Sequence, residues 1–112
     1  MARISTHVLD VAKGRPAEGI AVELRFNGVV TGSAMTNADG RTNEPLLTAE
    51  RIEPGFYELV FHAGNYLRAC GVASEPLFLD EITIRFGVAD PHGNYHVPLL
   101  LAPHGYSTYR GS

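Results

Sequence analysis

Short runs in which apolar and polar residues alternate constrain this chain more than any other feature. Ile20, Val22, Leu24 and Phe26 share one side of a run whose other side carries Ala21, Glu23 and Arg25. Successive side chains of an extended strand point to opposite faces, so a period of two predicts a half-buried strand. The same reading holds for residues 55–62, where Tyr57, Leu59 and Phe61 fall together, and for 82–88, where Ile82, Ile84, Phe86 and Val88 oppose Thr83 and Arg85. In 95–101, Tyr95, Val97, Leu99 and Leu101 oppose His96, Pro98 and Leu100. Residues 4–11 form an apolar, β-branched run, 29–36 follow the tight-turn dipeptide Asn27-Gly28, and 106–110 make a last short strand. Further turn signals stand at Lys13-Gly14-Arg15-Pro16 and Asn37-Ala38-Asp39-Gly40. Seven or eight short strands so punctuated predict an all-β antiparallel sandwich or barrel. Helix is expected over 65–70 and, more weakly, over 45–51. Neither segment supplies a βαβ crossover, so parallel pairing is not expected.

With 112 residues, no repeat and no internal boundary, the chain reads as one domain over 1–112. Twelve acidic against nine basic residues give a net charge of −3. That balance excludes the broad basic footprint of a nucleic-acid binder but leaves room for a local anion site. The single cysteine, Cys70, cannot close an intrachain disulfide and reads as a small packed residue. No apolar run suits a signal peptide or a membrane span, and a cytoplasmic protein is the expectation.

The residues that could carry chemistry are few. His7 and His96 each lie inside a strand. Each is either a hydrogen-bonded core histidine or a general acid/base, since imidazole titrates nearest neutrality. Arg41 follows the Asp39-Gly40 turn and is either a solvated loop residue or a planar clamp for a delocalised anion. No cysteine pair or His-Glu-x-x-His is present, and His92 and His96 lie on an extended run, so no metal is expected. Ser112 is a fixed hydroxyl and carboxylate only if the last strand docks. Pro98 cannot donate to a sheet ladder and is expected at an edge or bulge. The face it shares with His96 and Leu100 is partly apolar, which suggests a subunit contact or, failing that, a local edge irregularity.

Four separated segments together resemble the transthyretin-like family. They are Ser5-Thr6-His7-Val8-Leu9-Asp10 with Gly14-Arg15-Pro16-Ala17, then Thr36-Asn37-Ala38-Asp39-Gly40-Arg41, then Tyr95-His96-Val97-Pro98-Leu99-Leu100-Leu101, and finally Tyr109-Arg110-Gly111-Ser112. A terminal Tyr-Arg-Gly-Ser resembles the hydroxyisourate-hydrolysing branch of that family, as opposed to its hormone carriers. The resemblance implies a sandwich of two four-stranded sheets with one short helix, and a homotetramer with sites where two dimers meet. It implies hydrolytic ring opening of 5-hydroxyisourate without a cofactor. By that resemblance His7, Arg41, His96 and Ser112 are catalytic, and Tyr109, Arg110 and Gly111 shape the substrate pocket. A non-enzymatic carrier of small aromatic ligands is the alternative.

Overall fold

A computed structural model describes all 112 residues. In chain order the elements are β1 (Ala2–Asp10), β2 (Arg15–Pro16), β3 (Ala21–Phe26), β4 (Val29–Met35), β5 (Leu47–Ala49), β6 (Gly55–His62), α1 (Gly64–Ala69), β7 (Glu81–Val88), β8 (Asn94–Ala102) and β9 (Gly105–Thr108). The β3–β4 hairpin turns on Asn27 and Gly28, with φ of 52° and 77°. Two consecutive positive φ values define a type I′ turn, whose twist matches that of the flanking strands and which Asn-Gly tolerates at least cost.

The strands form two sheets. One runs β4-β3-β6-β7, antiparallel throughout. The other runs β2-β1-β8-β9, with β5 pairing the start of β1. The alternating sets of the sequence close between them. Ile4, Val22, Leu24, Leu59, Phe61, Leu99 and Leu101 are buried in one apolar cluster. Each such side chain contributes about 1.5–3 kcal/mol of transfer free energy, so this layer is what holds the sheets together. Phe61→Ala would remove about 3–5 kcal/mol, a large share of a small domain's stability.

Three local expectations need correction. Residues 45–51 do not form a helix; Leu47–Ala49 extend as β5 against Ala2–Ile4, because Leu46 and Leu47 reach the core from an extended backbone. Parallel pairing does occur, between β1 and β8, in register from Arg3↔Asn94 to Asp10↔Leu101. The connection between those strands is no simple βαβ crossover; it holds β2, β5, α1 and the whole second sheet. Pro98 is not on an edge strand, since β8 lies between β1 and β9. It does mark a break in the ladder. Leu99↔Thr108 and His96↔Gly111 share one antiparallel register, and the intervening Pro98 has no N–H to give. The Thr108 hydroxyl caps the Pro98 carbonyl at 2.7 Å instead.

Buried polar groups pin the site-bearing sheet. Thr6 is 2% exposed and donates its hydroxyl to the Val97 carbonyl at 2.7 Å, which resists slippage of β1 along β8. Buried Asp10 accepts from the Tyr66 hydroxyl at 2.6 Å and from the Lys13 N–H at 3.0 Å, fixing α1 and the first turn to the end of β1.

Candidate active site

The outer face of the β1–β8 pair carries the two histidines. Alternation sends Ile4, Thr6 and Val8 inward and leaves Arg3, Ser5 and His7 on the other side of β1. On β8 the same rule turns Asn94 and His96 outward. Parallel register sets Ser5 beside His96 and His7 beside Pro98. The two imidazoles are thus diagonal neighbours, with centroids 6.4 Å apart and planes 27° from parallel. Both are half-buried. They are outer-face groups, so the reading of either as a core histidine falls away.

Arg41 reaches them through a built turn. Asn37 accepts the N–H groups of Asp39 and Arg41 on its side-chain oxygen at 2.9 and 3.2 Å. Its own N–H donates to the Arg41 carbonyl at 2.7 Å. Gly40 has φ of 72° and gives its carbonyl to the Val8 N–H at 2.8 Å. A Cβ there would run into the Val8 carbonyl, so only glycine allows the turn to press against β1. The result is a bridge pairing Arg41 with His7.

From the other flank, the chain end closes on His96. The Gly111 N–H donates to the His96 carbonyl at 2.7 Å. The Arg110 guanidinium lies 4.2 Å over the Tyr95 ring and donates to the Asn94 carbonyl at 3.3 Å. These contacts carry Ser112 into a cleft of about 490 Å³ that it lines together with Arg3, Ser5, Arg41, Asn94 and His96. Tyr109 and Arg110 do not line this cleft. They border a smaller slot between β7 and β9, because they anchor the tail on the flank of β8 away from the cleft.

The electrostatics favour neutral imidazoles. Burial first, and then the Arg41 guanidinium, lower the pKa of His7 below 6.5, against a smaller opposing effect of Asp39. His96 is lowered likewise by burial, then by Arg41 and by His7. Two uncharged imidazoles beside a permanent cation offer proton acceptors and an electrophile in one place. Apart from Pro45, every side chain lining the cleft is polar or charged. No cluster of three or more metal-ligating side chains occurs. Sequence reasoning passed over Ser5, Arg3 and Asn94. A period of two counted from each histidine would have found them, since each lies two or four residues from a histidine in its own strand.

Fold and site together define a transthyretin-type sandwich with a polar, histidine- and arginine-bearing cleft on one sheet. The family model described as the HIUase/Transthyretin family matches residues 4–111, and the chain belongs to that family. A 5-hydroxyisourate hydrolase of Pseudomonas aeruginosa is 51% identical over 117 residues, covering 100% of this chain and 93% of the relative. The 5-hydroxyisourate hydrolase 2 of Rhizobium meliloti is 51% identical, over 98% of this chain and 96% of its own. Among solved structures, the 5-hydroxyisourate hydrolase of Klebsiella pneumoniae superposes with a TM-score of 0.85 at 36% identity over 100% of both chains. An (S)-allantoin synthase superposes with a TM-score of 0.91 at 39% identity; it covers 99% of this chain, which spans 44% of that longer one.

Proposed function

We propose that this chain hydrolyses 5-hydroxyisourate to 2-oxo-4-hydroxy-4-carboxy-5-ureidoimidazoline, a step of urate degradation. One observation carries the reading: Arg41, His96 and Ser112 line a single polar cleft, with the His7 ring 6.4 Å from that of His96. The relatives named as 5-hydroxyisourate hydrolases, near 51% identity over almost the whole chain, support it. The substrate is small, planar and rich in acceptors. Arg41 stabilises the negative charge that develops on the attacked carbonyl oxygen. A neutral imidazole takes a proton from the attacking water and returns it to the departing ring nitrogen. Ser112, held by the Gly111–His96 pairing, closes the cleft and orients the substrate. A polar lining disfavours a carrier of apolar aromatic ligands, whose pockets are mostly apolar.

The assembly we propose is a homotetramer in the cytoplasm, with the cleft completed where two dimers meet. The half-buried Leu9 and Leu100 extend the outer face that bears His7 and His96, and a partner covering them would also close the cleft.

The test generates 5-hydroxyisourate in place from urate and urate oxidase and follows its absorbance. The expected result is decay accelerated in proportion to added protein. Decay at the spontaneous rate would overturn the assignment.

A further inference from the structure

One side chain in the cleft has a partner that the reaction outlined above does not use. The Ser5 hydroxyl lies 2.9 Å from Nδ1 of His96. The contact is built in: Ser5 and His96 are directly paired across the β1–β8 register, and the neighbouring Thr6–Val97 bond holds that register from the inner side. A hydroxyl both accepts and donates, whereas an imidazole nitrogen does one or the other according to where its proton sits. The partner of Nδ1 therefore decides whether Nε2 carries a lone pair or a hydrogen.

We infer that Ser5 is the positioning residue of His96: its oxygen accepts the Nδ1 hydrogen and leaves Nε2 free to take a proton. In the neutral ring the Nδ1–H donates to Ser5 Oγ. When Nε2 takes the proton of the attacking water, the ring becomes an imidazolium and the same Nδ1–H bond becomes charge-assisted. It shortens and strengthens as charge appears, so it stabilises the transition state more than the ground state. When Nε2 passes that proton to the departing nitrogen, the ring returns to its starting tautomer and Ser5 is unchanged. The opposite arrangement, with Ser5 donating to Nδ1, would put a hydrogen on Nε2 and bar His96 from acting as base. This inference rests on the hydrolytic reading of the cleft and extends it by assigning the base.

The experiment joins kinetics to ¹⁵N NMR of the imidazoles in the intact protein. The wild-type His96 is expected to show the Nδ1–H tautomer at pH 7.5. Ser5→Ala should move it to the Nε2–H form, the one favoured by a free imidazole. It should lower kcat about tenfold to a hundredfold, the worth of one hydrogen bond that becomes charged, with KM within about threefold. Ser5→Thr, which keeps the hydroxyl, should restore both the tautomer and most of kcat. A wild-type Nε2–H tautomer, an unchanged tautomer in Ser5→Ala, or undiminished kcat in that variant would each overturn the inference. Should the wild type fail to hydrolyse 5-hydroxyisourate at all, the functional reading falls, while the NMR arm still reports whether Ser5 sets the tautomer.

Discussion

Adding one methyl group at Gly111 tests whether the end of the chain builds the site. A Cβ there would stand 2.6 Å from Cδ2 of His96, with Cγ at 3.4 Å. Ordinary carbon contacts need about 3.5–4.0 Å, so ring or tail must yield by about 1 Å. The ring has little freedom, since its Nδ1 is bonded to Ser5 and the His96 carbonyl to Gly111. If the ring moves, it leaves Ser5; if the tail moves, Ser112 leaves the cleft. Misplacement of about 1 Å at a reacting group costs on the order of 10²-fold in rate. Stability should hardly change, because Gly111 is half-exposed, one residue from the chain end and outside the core; a shift within about 0.5 kcal/mol is expected. The control is Gly105→Ala, where a new Cβ meets nothing within 4 Å. Both variants go into the oxidase-coupled assay, with melting followed by circular dichroism. Gly111→Ala within about twofold of the wild-type rate, at an unchanged melting temperature, would refute the docking of the tail as a catalytic element.

Arg41→Lys keeps the charge but loses the planar fork, and the turnover assay should show a loss on the order of 10²–10³ with the fold intact; near-native turnover would remove the fork from the mechanism. The lowered pKa values of His7 and His96 predict a rate that is flat through neutrality and falls only as pH drops below 6.5, the ordinary value. Over the same window the unfolded chain takes up protons before the folded one, so stability also falls with decreasing pH until the folded sites protonate; a pH series of rates and melts checks both, and a rate already halved at pH 7 would contradict it. Leu100→Glu places a charge on the outer face and should split the assembly and lower turnover together, as read by light scattering beside the assay. A monomeric wild type with full turnover would contradict the placement of the site between dimers.

In the alternating runs 20–26, 55–62, 82–88 and 95–101, the side that enters the core was settled by the sequence alone. Ile20, Val22 and Leu24, then Tyr57, Leu59 and Phe61, then Tyr95, Val97, Leu99 and Leu101 are all buried as their alternation requires, because that alternation is a property of each extended segment by itself. The Asn27-Gly28 hairpin was legible for the same reason, its turn needing only two residues that tolerate positive φ. The resemblance of four short segments to a known family points to His7, Arg41, His96 and Ser112 from sequence alone. Tertiary structure decided which strands meet and in which direction. The parallel β1–β8 pair joins residues 91 apart, and no local signal encodes a contact of that range. It alone sets Ser5 against His96 and His7 beside Pro98. Residues 47–49 became strand because β1 offered an open edge there, not because of their own propensity. Pro98 could be read as a ladder break but not placed, since its missing N–H matters only on the side where β9 and the tail run past. The site exists because four segments distant in sequence, β1, the turn before Arg41, β8 and the chain end, converge on one sheet face, and that convergence is a consequence of packing the core beneath it.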